Sequence, residues 1–297
     1  MLRYSIYVVI IFILIEFFLR FAGFGYPILY KNRSDNYYPI NNQNLKRYKG
    51  NEVNINRLGM RTNFEWKNYN NKKKLIFFGD SVSFAGSYID NKDIFSEKIC
   101  TKYVMDYVCG NYGVNGYLLE NLTNRIEEIK KSNLIYEKLI IVVSNSFNYG
   151  KTNFYDLPFY ENFNYKFFRS TIEVINHFLF KYKIYDNYHS SNEKKNSINV
   201  NKLKKSNSTQ LIEFNKVLND LSLEKDIYIF ILPTLENLDG KISANHFLTE
   251  INVTSYEVIN LIGKLKNIEY QKLYFNNAHL NKKGHDYLAK IIYEYLK

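Results

Sequence analysis

Gly79-Asp80-Ser81-Val82 stands directly behind the apolar run Leu75-Ile76-Phe77-Phe78. A serine hydroxyl is a weak nucleophile until a neighbouring base takes its proton. A serine delivered by a buried strand to the start of a loop is placed where base and substrate can both reach it. Far downstream, Asn276-Asn277-Ala278-His279-Leu280-Asn281 precedes a helical pattern and offers such a base in a polar loop, punctuated by Gly284. His285 lies one turn into that helix and reads as a packing or surface residue, while His177, His189 and His246 have no nucleophile-like context. A lone loop histidine is ordinarily just exposed. The order and separation of the two segments single out His279, and the chemistry they fit is acyl transfer at an ester carbonyl.

Such a pair needs a frame that brings distant segments to one edge. Leu139–Val143 and Ile227–Leu232 are β-branched or apolar runs of buried-strand type, and Tyr107–Asn111 reads as a further strand. Between them, Leu119, Leu122, Ile126 and Ile129 share one helical face, and Tyr287, Leu288, Ile291, Ile292 and Tyr295 form the stripe of a closing helix. Asp93 is expected to cap a helix carrying Ile94, Phe95, Ile99 and Tyr103. Strands alternating with helices in this way predict a parallel sheet covered on both faces, a three-layer α/β/α domain. Open sheets of this kind bind ligands at the carboxyl ends of their strands, where Ser81 would lie.

The chain has 297 residues and 46% hydrophobic content, enough for one large α/β domain or at most two small ones. Its formal charge of +11 invites a nucleic-acid reading. The excess, however, is mostly scattered Lys beside abundant Asn, Ile, Tyr and Phe, a set that AT-rich coding favours. A solvated basic surface, near anionic lipid, is the better reading, and no nucleic-acid partner is expected. No Cys/His spacing predicts a metal site, and no cofactor is implied. Cys100 and Cys109 would pair in an oxidising compartment or stay as two buried thiols, and the sequence leaves both open.

Tyr4 to Leu19 is almost continuously apolar, broken only by Glu16, and with Phe21 to Phe24 it is just long enough to span a bilayer. Residues 1–25 are therefore expected to be a membrane anchor. A buried core helix would need cover on every side, and Phe21-Ala22-Gly23 is a poor signal-peptide cleavage site. Arg20, Lys31 and Arg33 follow the span and only Arg3 precedes it, which favours a cytoplasmic body, but long domains translocate largely regardless of such counts. Residues 26–52 read as a linker that is either a stalk or a surface wrap, and 53–297 as the catalytic-type domain. An insertion at about 150–208 interrupts that domain, with an aromatic-rich start, an amphipathic helix at Thr171–Lys181 and a polar stretch at Asn187–Ser208. It is either an ordinary surface insertion or a cap beside the site.

These residues resemble the SGNH (GDSL-type) hydrolase superfamily, whose four sequence blocks contribute a serine, a glycine, an asparagine and a histidine. Gly79-Asp80-Ser81-Val82 matches the first block, and Asn111-Tyr112-Gly113-Val114-Asn115-Gly116 the second. Ser146-Phe147-Asn148-Tyr149 fits the third loosely, and His279 with Leu280, Asn281 and Gly284 matches the fourth. The resemblance implies a flavodoxin-like sheet, Ser81 as nucleophile, His279 as base, and an oxyanion hole from Gly116 N–H and the Asn148 amide, with Asn145 an alternative. Ile55-Asn56-Arg57-Leu58-Gly59-Met60-Arg61 is similar to a stretch that membrane-anchored members carry before the serine block. That likeness implies an extracytoplasmic body, either periplasmic or at the cell surface, and an O-acetyl ester of an envelope glycan or lipid as substrate.

One position departs from the family pattern. Its members usually hold an aspartate three residues before the histidine, where this chain has Asn276. In a serine-protease triad, the same Asp-to-Asn change costs about 10⁴ in turnover, chiefly through the wrong imidazole tautomer. Three readings follow. Asn276 orients His279 in a working dyad, another carboxylate replaces the missing one, or the chain is a degenerate, membrane-tethered binding protein.

Overall fold

The computed structural model describes residues 2–33, 35–69, 71–132, 134–181, 200–243, 245–250 and 256–297. Helix α1 (Leu2–Phe21) comes first, followed by two antiparallel pairs, β1 (Tyr30–Asn32) with β2 (Tyr37–Pro39), and β3 (Gln43–Lys46) with β4 (Glu52–Ile55). The central sheet is built from β5 (Lys73–Gly79), β6 (Tyr107–Asn111), β7 (Lys138–Ser144), β8 (Asp226–Leu232) and β9 (Glu257–Asn260). All pairings are parallel, in the order β6-β5-β7-β8-β9. Numbered within the sheet this is 2-1-3-4-5, the flavodoxin-like arrangement expected.

The apolar runs explain the layering. Successive strand side chains point to opposite faces, so a strand buried on both sides must be apolar throughout. Ile76, Phe78, Ile141, Val143, Ile229 and Ile231 face one way, against α4 (Leu119–Lys131) and α6 (Val200–Ser222). Leu75, Phe77, Ile140, Val142, Phe230 and Leu232 face the other, against α3 (Phe95–Lys98) and α9 (Lys282–Leu296). Among the described residues the remaining α-helices are α2 (Ser81–Phe84), α5 (Arg169–Lys181), α7 (Leu235–Leu238) and α8 (Ile262–Lys266).

Asp93 does not cap the helix after it. Ile94 precedes α3 with no side-chain cap, and the Asp93 carboxylate instead pairs with Lys98 at 3.6 Å and Lys282 at 2.9 Å. Two lysines from other turns compete successfully for it.

The segment read as a linker lies against the body. Tyr30 and Tyr37 are buried in a third apolar cluster with Val53, Ile55, Val114, Tyr117, Phe154 and Phe84 of α2. The aromatic start of the insertion belongs to the same cluster, with Phe159 stacked on Tyr30 at 3.9 Å. Residues 182–199, including His189 and most of the polar stretch, lie outside the described residues.

Candidate active site

Ser81 opens α2 at the carboxyl end of β5, between β6 and β7, the switch point where such sheets form their crevice. The turn needs Gly79: its φ is +146°, and a Cβ there would fall 1.9 Å from the Val142 carbonyl oxygen. Asp80 then caps α2. One carboxylate oxygen accepts from Val82 N–H at 2.9 Å and the other from Ser144 N–H at 3.1 Å, tying the turn to the end of β7. Burial pushes this carboxyl up to about 6, against the pull of those hydrogen bonds.

The histidine loop is fixed from both sides. Tyr274 bridges to Leu280, Phe275 N–H donates to the His279 carbonyl at 2.7 Å, and Asn281 caps α9 by accepting from Lys283 and Gly284 N–H. His279 Nε2 lies 2.9 Å from Ser81 Oγ. Asn276 Oδ1 lies 3.0 Å from His279 Nδ1 and also accepts from Ala278 N–H at 3.1 Å and His279 N–H at 3.0 Å.

Those two backbone donors decide the proton. They require an acceptor, so the amide must present its oxygen, and an oxygen facing Nδ1 requires Nδ1 to carry the hydrogen. The Nε2 lone pair is then left to accept from the Ser81 hydroxyl, the tautomer a general base needs. Burial lowers the His279 pKa, which favours the neutral ring that can accept a proton. Among the described residues no carboxylate hydrogen-bonds to His279; Glu236 accepts from the neighbouring Asn277 amide at 3.0 Å.

The other expected residues are placed less tightly. Gly116 turns at φ +78° with Leu157 of the insertion and the Tyr37 hydroxyl against its Cα. Its N–H has no acceptor among the described residues. Asn148 is exposed; its amide oxygen accepts from Tyr149 N–H at 2.8 Å and its carbonyl from Leu119 N–H. Asn145 directly follows β7, with its Nδ2 3.5 Å from the Ser243 carbonyl and its Oδ1 buried without a partner among the described residues.

His285 is a packing residue. It is buried, stacks on Phe95 at 6.0 Å, and is pushed down to about 3, chiefly by burial. His246 is satisfied, between the Phe147 carbonyl at 2.9 Å and Leu248 N–H at 3.2 Å. Among the described residues no group of His, Cys, Asp and Glu is arranged to hold a metal.

Two supporting residues carried no assigned role in the sequence reading. Asn111, at the end of β6, donates to the Ser83 carbonyl at 2.7 Å and accepts from Gly113 N–H at 2.8 Å, joining the glycine loop to α2. Arg61 is buried and donates to Asn91 Oδ1 at 2.9 Å and to the carbonyls of Phe84, Gly86 and Ile89. It thereby shapes the loop that sets Tyr88 edge-on against His279 at 6.1 Å. Both sit in segments whose glycines drew attention, but their partners are remote in sequence.

No protein-family model matches the chain, and no curated protein matches it. Solved structures similar in fold include a member of the lipolytic protein G-D-S-L family from Veillonella parvula, 14% identical over 73% of this chain and 94% of that one, TM-score 0.40. The lipase/acylhydrolase from Enterococcus faecalis is 13% identical over 75% and 95%, TM-score 0.40. A carbohydrate acetylesterase from Sinorhizobium meliloti is 8% identical over 76% and 98%, TM-score 0.41.

Proposed function

We propose that this chain is an SGNH-type serine esterase or O-acyltransferase acting on an ester of a cell-envelope glycan or lipid. The supporting observation is the relay Ser81 Oγ–H to His279 Nε2, with Nδ1–H held by Asn276 Oδ1. His279 takes the Ser81 proton as Oγ attacks the ester carbonyl. The oxyanion is held by the N–H groups of Ser81 and Gly116 and the Asn148 amide, and collapse expels the alcohol, which takes the proton from His279. Water or an acceptor hydroxyl, deprotonated in turn by His279, releases the acyl group from Ser81. Asn276 supplies orientation without charge, so the imidazolium is less stabilised than in a carboxylate triad, and a Ser–His dyad is the working unit.

An anchored, extracytoplasmic body belongs to the same reading. Tyr4–Phe21 is the one helix among the described residues long and apolar enough to cross a membrane, and its side chains other than Glu16 and Leu19 are exposed. Cys100 and Cys109 form a disulfide, the state favoured in an oxidising compartment.

The test is covalent labelling with a fluorophosphonate. Wild type is expected to label and Ser81→Ala to lose the label while keeping its circular dichroism spectrum. Labelling that survives Ser81→Ala would overturn the nucleophile, and a folded wild type that never labels would favour the binding-protein reading. Product analysis with an added glycan acceptor separates hydrolysis from transfer.

A further inference from the structure

Glu16 is a carboxylate in the body-proximal part of an otherwise apolar span, a costly placement unless it is paired. It is paired, and with the insertion. Its carboxylate accepts from Ser170 N–H at 3.1 Å and from Thr171 N–H and Oγ1 at 3.0 Å each, besides Arg20 Nε at 2.6 Å. Phe168, just before α5, lies at φ +50° and has no side-chain oxygen with which to cap the helix. The anchor supplies the cap that the insertion lacks, and a carboxylate is the group the N-terminal N–H groups favour.

A second buried contact doubles the joint. Glu173 of α5 accepts from Gly25 N–H at 2.6 Å and pairs with Arg47 at 2.5 Å, both side chains about nine-tenths buried. Ser170 Oγ donates to the Phe24 carbonyl at 3.0 Å. The turn after α1 is thus clamped to α5 and does not act as a swivel.

Depth follows from helix geometry. At about 1.5 Å per residue, Glu16 lies roughly 7–8 Å before the end of α1. If α1 spans the bilayer core, whatever touches Glu16 lies in the outer part of that core, beneath the headgroups. Phe167, Phe168 and Ile175 are 76%, 42% and 50% exposed, on the segment whose Ser170 and Thr171 are held against α1 by Glu16. We propose that α5 is an interfacial membrane helix, latched to the span by Glu16, that seats the body on the bilayer in one orientation with lipid covering Phe167, Phe168 and Ile175. This rests on the anchor reading above and adds to it a membrane-bound surface within the insertion.

The full-length protein is reconstituted in phosphatidylcholine/phosphatidylglycerol vesicles with a fluorophore on Val9→Cys, Ile175→Cys or Glu213→Cys, one per sample, the native cysteines being disulfide-paired. Lipids carrying a doxyl quencher and aqueous iodide report the surroundings. Val9 and Ile175 labels are expected to be quenched by the lipid, with Ile175 favouring a quencher placed near the headgroups, and the Glu213 label by iodide. Adding Glu16→Gln is expected to at least halve lipid quenching at Ile175 and leave Val9 unchanged. Val9 quenched by lipid with Ile175 quenched by iodide would overturn this inference alone, and Ile175 quenched by neither would assign the face to a protein contact. A Val9 label that lipid does not quench would overturn the anchor itself. Unchanged Ile175 quenching in Glu16→Gln would remove the latch.

Discussion

At the scale of single residues, the proposed chemistry turns on a neutral amide where the SGNH pattern has a carboxylate. Asn276 fixes the tautomer of His279 because its oxygen is already committed to two backbone N–H groups. It cannot stabilise the protonated ring. Asn276→Asp places a negatively charged acceptor opposite Nδ1–H, which favours the imidazolium and so raises the His279 pKa from its lowered value. The acidic limb of kcat/KM should therefore move to higher pH by about one unit, with kcat on the alkaline plateau rising about tenfold or more. A pH–rate profile checks both. A limb that stays in place means residue 276 does not face the ring during turnover. Ser81, His279 and Asn276 were legible in the sequence because each lies in a short block with its own turn signals. Asn111 and Arg61 had no legible role, since their work is done on Ser83, Phe84 and Ile89, partners fixed only by the fold.

At the scale of elements, β5, β7 and β8 announced themselves as unbroken apolar runs, as did the stripes of α4 and α9. Strands β1 to β3 and β9 have only three or four residues each, too few to establish a period. What joins these elements is a set of buried polar groups. Arg61 reaches four acceptors around the loop after α2, and burial lowers its pKa to about 10, so it stays charged at neutral pH. Arg61→Ala strands those acceptors and should cost on the order of 3 kcal/mol or more in urea unfolding. Turnover should fall as well, because that loop positions Tyr88 against His279. Glu97 of α3 accepts from Thr62 Oγ1 and from Asn63 N–H at 3.0 Å, and burial raises its carboxyl to about 7. Below about 4.5 it is protonated whether folded or not. As pH rises towards 7 the unfolded chain releases that proton while the folded one keeps it, so stability falls by a few kcal/mol across the window. Glu97→Gln should flatten that part of the unfolding-versus-pH curve without abolishing it, since Asp80, raised to about 6, contributes the same sign.

At the scale of the whole molecule, two signals disagree over which side of the membrane the body occupies. Arg20, Lys31 and Arg33 after the span argue for the cytoplasm by charge counting. The Cys100–Cys109 disulfide, which joins the end of the α3 region to β6 in the apolar layer under β5, argues for an oxidising compartment. Charge counting loses force when a long domain follows the span, whereas two thiols kept reduced in the cytoplasm would not pair. The disulfide therefore decides the expectation. Closing a loop of this length removes about 2–3 kcal/mol of unfolded-state entropy, so its reduction should lower the thermal midpoint by several degrees. The decisive measurement is made on cells producing the full chain, acid-quenched, denatured and treated with a polyethylene-glycol maleimide. No gel shift is expected without reductant, and a shift of two labels after it. Two labels without reductant would place the thiols in a reducing compartment and put the body, with its Ser81–His279 pair, on the cytoplasmic side, where no envelope glycan could reach it.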